Sequence, residues 1–159
     1  MVVYNFYIRA LGLPQQVNGE IIALTSLATA IILVPAGIMS DRLGRKKVMA
    51  AGVVIGGVIL ASRSLVELES FLLGTGFATG IALAFFQVSI IPWLAENSGT
   101  KQRIHLFSLH SAVMMAANVI GNLLGGVMTD FFSLFMTDLF SIRYTLLFVS
   151  LFYFVSIIP

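Results

Sequence analysis

The chain has 159 residues, of which 58% are hydrophobic and 10% are charged, and its mean hydropathy is +1.01. A soluble domain of this size cannot bury so many apolar side chains, so the chain needs lipid as its solvent. A net charge of +2, with the bases separated by apolar stretches, argues against a nucleic-acid binder, and the lack of cysteine in the sequence excludes disulfides and thiolate chemistry.

The intervals between charged residues predict six helices of a multi-pass, all-α transmembrane bundle, because about 20 apolar residues cross the hydrocarbon core. The first and last intervals are too short to span, which predicts two truncated helices and hence a fragment of a longer product. A soluble helical bundle is the alternative, but it would need polar helix faces that the long uncharged runs lack. The predicted spans are approximately 1–8 (partial), 19–40, 47–66, 70–94, 104–129 and 143–159 (partial).

The basic residues predict the orientation of these spans, because cytoplasmic loops are enriched in Lys and Arg. Six basic residues lie on one side of the membrane and three on the other. The loops between spans two and three and between spans four and five are therefore predicted to be cytoplasmic. The membrane is expected to be the cell (plasma) membrane. Arg63, near the end of the third interval, is expected to snorkel to the interface. The two sets are Arg42, Arg45, Lys46, Lys47, Lys101 and Arg103 against Arg9, Arg63 and Arg143.

The segment Gly37 to Lys47, between the second and third spans, reads GIMSDRLGRKK. Gly37 is expected to let a neighbouring helix approach closely, Asp41 to end the helix, and Gly44 to permit a tight turn. Asp41 and Arg45 are four residues apart and could form an ion pair. The bases Arg45, Lys46 and Lys47 are expected to anchor at anionic head groups.

This segment resembles the signature loop of the major facilitator superfamily. The resemblance implies the amino-terminal six-helix half of a secondary transporter, which moves a small solute by alternating access, needs no cofactor or metal, and has the carboxy-terminal half of the same transporter as its partner. It also implies a role at the cytoplasmic gate for Asp41, Arg42 and Arg45. For Lys46 and Lys47, a plain anchoring role is favoured over gating.

Two motifs of proton-coupled relatives are missing from the sequence. The residue four before Gly74 is Ser70, where such relatives carry an arginine at the start of the fourth helix. The fifth span reads Gly121 to Gly126 without the proline found in many antiporters. The sequence therefore gives no support for proton antiport.

The candidates for contact with a solute are the few amides within the predicted spans that are long enough to cross the membrane. They are Gln87 in the fourth span and Asn118 with Asn122 in the fifth, where a spacing of four puts both amides on one helix face. Helix packing is the alternative role, since such side chains commonly hydrogen-bond neighbouring helices. With so few charges, the cavity favours a mostly apolar or a neutral, sugar-like solute, and the substrate stays open.

Three glycine pairs have the spacing that permits close contact between membrane helices. They are Gly52 with Gly56, Gly76 with Gly80, and Gly121 with Gly125.

Two other classes of function compete with transport. One is a membrane sensor or assembly protein that has the same fold without transporting anything. The other is a membrane enzyme, which is disfavoured because the uncharged intervals that form the spans contain no acid and the sequence has no metal-ligand cluster or phosphate-binding glycine loop.

Overall fold

The computed structural model describes residues 2–66, 68–99 and 102–156. Within these ranges the chain forms helices and no strand, which confirms the all-α prediction. The helices are α1 (Val2–Ala10), α2 (Gln15–Leu43), α3 (Arg45–Leu65), α4 (Glu69–Glu96), α5 (Arg103–Ser133) and α6 (Asp138–Val155).

Four of these helices, α2 to α5, are long and apolar enough to cross a membrane, and α6 contains a shorter apolar segment, Phe140–Tyr153. The helices extend past the predicted spans: α2 runs from Gln15 to Leu43, whereas its span was predicted at 19–40. Polar helix ends that project from the hydrocarbon account for such a difference. The ends of the first and last predicted spans, at residue 1 and residues 157–159, lie outside the described residues.

The two ends of the bundle differ in charge. The basic end carries residues 41–47, 96–99 and 102–103, where α2 meets α3 and α4 meets α5. The opposite end carries the α1–α2, α3–α4 and α5–α6 connections. A buried apolar cluster lies toward the opposite end and ties α1 to α2, α4 and α6; its members are Tyr7, Ile8, Val17, Ile21, Leu72, Ile142 and Leu146.

The closest helix crossing joins α2 to α4 at Gly76 and Gly80. A Cβ atom on Gly80 would overlap the backbone oxygen of Thr25 and the Cβ of Ala28, so only glycine fits there. The hydroxyl of Thr25 is shared between the carbonyl oxygens of Ile21 on its own helix, at 2.8 Å, and Gly76, at 2.9 Å. The hydroxyl of Thr29 is shared likewise between those of Thr25, at 2.8 Å, and Gly80, at 3.1 Å. Close packing and interhelical hydrogen bonds replace the hydrophobic force that lipid cannot supply.

The other two predicted glycine pairs differ in outcome. A Cβ on Gly52 would lie 2.8 Å from the carbonyl oxygen of Ala82 on α4, and one on Gly56 would lie 3.4 Å from the ring of Tyr153 on α6. This pair therefore packs closely, as predicted. At Gly121 a Cβ would meet nothing within 4 Å, so the prediction of close packing is wrong there.

Helix α5 packs on the bundle mainly near its carboxyl end. Ser141 of α6 donates to the backbone oxygen of Thr129, and the hydroxyl of Thr129 donates to that of Thr145 at 3.4 Å. Elsewhere α5 turns apolar side chains outward, and Gly125 is its buried residue. Large exposed apolar side chains suit a surface that faces lipid or another membrane domain.

Candidate functional site

The connection between α2 and α3 at the basic end is a single residue, Gly44. Its φ of +98° lies in the left-handed region that favours glycine, so α2 stops at Leu43 and α3 starts at Arg45. This confirms the turn predicted at Gly44. The expectation that Asp41 ends the helix is wrong, because the helical hydrogen bonds continue for two further residues before the glycine allows the break.

Arg45 joins three helices at this turn. Its Nη2 lies 3.1 Å from Oδ1 of Asp41 on α2, and its Nε donates to Oε1 of Glu96 on α4 at 2.8 Å. The Arg45 side chain is 22% exposed, whereas the two acids are more than half exposed. Ion pairs with exposed partners contribute about 0–1 kcal/mol each, so the arrangement can bias a conformational equilibrium but cannot lock it.

A buried contact lies one turn from the ion pairs. The hydroxyls of Ser40 on α2 and Ser89 on α4 are 2.9 Å apart, and both side chains are fully buried. At the carboxyl end of α4, Nη2 of Arg103 donates to the backbone oxygen of Ala95 at 2.9 Å. The start of α5 is thereby attached to the same end. We call Asp41, Arg45, Glu96, Ser40 and Ser89 the basic-end network.

Sequence reasoning missed three members of this network. The alternation of spans places Glu96 at the same end of the bundle, but no sequence pattern indicates that Arg45 forms an ion pair with it. Ser40 and Ser89 looked like ordinary small residues of apolar helices. Their pairing depends on the crossing of α2 with α4, which only the three-dimensional packing reveals.

The remaining residues of the loop motif take no part in the network. A Cβ on Gly37 would meet nothing within 4 Å, so the expected close approach of a helix is absent from the described part of the chain. Arg42, Lys46 and Lys47 have exposed side chains. Exposure at a membrane–water boundary suits the anchoring role predicted for the two lysines.

The predicted solute residues do not share one pocket. Gln87 is itself exposed, and it lines an open cavity of about 430 Å³ between α2, α4 and α5, with Leu33, Phe86, His110 and Met114 among its other walls. Asn118 is exposed, and its Nδ2 donates to the backbone oxygen of Met114 on its own helix at 2.9 Å. Asn122 is partly buried. The geometry thus assigns Gln87 to a cavity, whereas the two asparagines lie outside the lining described for it.

Arg63 is buried, which corrects the prediction that it snorkels. Its residue exposure is 8%, and its Nε donates to the hydroxyl of Thr75 on α4 at 2.8 Å. Its backbone oxygen accepts from the Tyr7 hydroxyl of α1 at 3.0 Å. The correction has a physical reason: Thr75 supplies an acceptor inside the bundle, so the guanidinium need not reach the interface.

Comparison with known proteins places these features in a family. The model of the Major Facilitator Superfamily matches residues 1–159. The chloramphenicol resistance protein CraA of Acinetobacter baumannii is 27% identical over 136 residues, which are 83% of this chain and 31% of that protein. The chain therefore spans less than a third of the length of this curated relative. Membership of this family points to a membrane transporter rather than an enzyme.

Proposed function

Because the chain belongs to the major facilitator superfamily, we propose that it forms the amino-terminal half of a secondary transporter that exports a small solute by alternating access. The observation that carries the proposal is Arg45, which joins α2, α3 and α4 within the family's signature loop. The protein lies in the cell membrane, and its basic end faces the cytoplasm. The six bases at this end support that orientation.

The basic-end network stabilises one state of the transport cycle. When the cytoplasmic side is closed, Arg45 holds Asp41 and Glu96 together, so the loop stays docked on α4. Two partly exposed ion pairs of about 0–1 kcal/mol each shift a two-state population by several-fold, and the solute's differential binding can reverse such a bias. The buried Ser40–Ser89 contact keeps the crossing itself fixed while the ion pairs exchange with water.

A second six-helix half completes the transporter. Alternating access needs two bundles that rock around a shared site. The largely exposed apolar length of α5 supports such a partner, and so does the length of CraA, of which this chain matches 31%. The other half is then the continuation of the same protein.

The solute is a neutral, mostly apolar molecule with a few hydrogen-bonding groups. The cavity beside Gln87 is lined chiefly by apolar side chains, with an amide and an imidazole as its polar groups. Its volume falls within the range of about 300–1,000 Å³ of small-molecule sites. The similarity to CraA, a chloramphenicol resistance protein, supports a drug-like solute and export as the direction. Asn118 and Asn122 are secondary candidates that a conformational change would have to bring to the cavity.

The test is flux of radiolabelled chloramphenicol across proteoliposomes that contain the full-length protein. Gln87→Leu is expected to reduce the flux about tenfold, the usual effect of losing one or two hydrogen bonds to a bound solute. Asn118→Leu tests the second candidate in the same assay. Ser26→Ala is the control, because Ser26 is exposed and bonds only its own helix at Ile22 among the contacts described.

Protein-dependent flux that Gln87→Leu reduces and Ser26→Ala leaves unchanged would support the proposal. Folded protein that moves neither chloramphenicol nor any other neutral amphiphile would contradict it, and would favour the sensor or assembly function.

A further inference from the structure

A second cavity, on the side of α4 that faces α3 and α6, contains the buried arginine. It measures about 460 Å³, and Arg63 lines it together with apolar residues such as Val53, Ile59 and Leu60. The lining on α3 runs from Gly52 to Arg63, which corresponds to about 16 Å of helix. The cavity is therefore long and narrow, with Arg63 toward the opposite end of the bundle and Tyr153 toward the basic end.

The polar groups of this cavity are unevenly distributed along its length. Arg63 is the charged residue among the lining residues that the structure describes. Its Nε–H bond to Thr75 fixes the plane of the guanidinium, and Thr79, one turn further along α4, adds a hydroxyl to the wall. The rest of the wall is mostly apolar, with Ile59, Leu83 and Phe86 among its members, and Tyr153 and Ser156 add polar atoms on α6 and just after it.

We propose that this cavity binds a single-chain anionic amphiphile, with its acidic head group at Arg63 and its alkyl chain along α3 and α4. A guanidinium attracts an acidic head group, and a carboxylate is the smallest one that a single alkyl chain carries. The apolar walls accept an alkyl chain, which gains free energy for each methylene removed from water. The site is distinct from the proposed solute site, although the two cavities meet at Leu83, Phe86 and Met114.

An alkyl chain against α3 would fill the space beside Gly56, where α3 contacts Tyr153 of α6. It would thereby stiffen the packing of α3 against α4 and α6, and the first two of these helices are also joined by Arg45 and Glu96 at the basic end. This role does not depend on which solute is transported.

The probe is a diazirine-bearing dodecanoate, added to full-length protein in nanodiscs of neutral phosphatidylcholine. Labelled peptides are mapped by mass spectrometry, and unlabelled dodecanoate and dodecanol compete for the site. Labelling is expected on α3 and α4 near Val53 and Leu60. Dodecanoate should compete at a concentration at least about tenfold below that of dodecanol, as expected for a charge-assisted hydrogen bond to Arg63.

Two substitutions separate the head-group and chain contributions. Arg63→Gln is expected to bring the competing concentrations of dodecanoate and dodecanol together. Val53→Phe narrows the cavity and is expected to reduce labelling at least about tenfold. Val54→Phe is the matched control, because the adjacent Val54 is 39% exposed and lies outside the described lining. This second pair keeps the proposal testable if Arg63→Gln does not fold.

Three results would overturn the proposal. Labelling spread over the exposed faces of α2 and α5 would indicate mere partition into the bilayer. A preference for dodecanoate that survives Arg63→Gln would remove the assigned head-group contact. Loss of labelling when phosphatidylglycerol is added to the disc would assign the cavity to a two-chain membrane lipid instead. None of these results depends on flux, so the proposed transport function stands or fails separately.

Discussion

Alanine at Gly80 should separate α2 from α4, whereas alanine at Gly74 on the same helix should not. A Cβ on Gly80 would overlap the backbone oxygen of Thr25, which cannot move without the whole helix. Such overpacking costs about 1–3 kcal/mol, and the hydrogen bonds from Thr25 and Thr29 contribute about 0.6–2 kcal/mol each. Loss of one or both brings the expected destabilisation by Gly80→Ala to about 2–7 kcal/mol.

Gly74 provides a matched control within α4. A Cβ there would meet nothing within 4 Å, and alanine favours a helix over glycine by up to about 1 kcal/mol. Gly74→Ala should therefore leave the protein as stable as before or slightly more stable. The assay heats full-length protein in detergent and measures the thermal midpoint, the temperature at which half of the monodisperse protein peak is lost. Equal midpoints for Gly80→Ala and Gly74→Ala would refute the close crossing.

Three further substitutions test other contacts by the same thermal assay. Gly44→Ala should destabilise the protein by about 1–2 kcal/mol, because an alanine backbone is strained at a φ of +98°. Gly99→Ala is the control, because a Cβ there has open space. Equal destabilisation by the two substitutions would contradict the strain assigned to Gly44. Ser40→Ala and Ser89→Ala should each lower the free energy of unfolding by about 1 kcal/mol, and the double variant should lower it by less than the sum of the two. Strictly additive effects would show that the two hydroxyls do not interact. Tyr7→Phe removes the hydrogen bond to the backbone oxygen of Arg63 and should cost about 0.6–2 kcal/mol; an unchanged midpoint would show that this bond contributes nothing.

The parts of the fold that depend on local pattern could be predicted from the sequence. Hydropathy and charge spacing give the order of the helices, since both follow from the neighbours of each residue along the chain. The turn at Gly44 and the pair of Asp41 with Arg45 are also local, because the partners are four positions apart in the sequence and lie on either side of that turn. The family resemblance rested on the same short segment.

Contacts between distant segments could not be predicted in this way. The choice of Glu96 by Arg45, the pairing of Ser40 with Ser89 and the burial of Arg63 each depend on which helix faces meet. Hydropathy indicates that a segment lies in the membrane, but an apolar helix shows little difference between its faces. For Arg63, the partner Thr75 lies on the next helix, and nothing in the sequence distinguishes it from the other threonines of α4.

The glycine pairs illustrate the same limit. The spacing of Gly76 and Gly80 correctly predicted a close crossing, and so did that of Gly52 and Gly56. The same spacing failed at Gly121, because α5 there has no described neighbour close enough to need a glycine. Spacing identifies helices that can approach closely, and the packing of the whole bundle decides which of them do.

The most direct test of the account is a double-mutant cycle on Arg45 and Glu96, read as solute flux through the full-length protein. Arg45→Gln and Glu96→Gln are each expected to change the flux by about two- to fivefold, the population shift that an ion pair of this exposure supports. Lys46→Gln, next to Arg45 but exposed, is the control and should leave the flux unchanged. If the two residues act as one gating contact, the double variant should transport like the more affected single variant. If the two effects instead multiply, or if neither variant differs from Lys46→Gln, Arg45 and Glu96 do not form the gate.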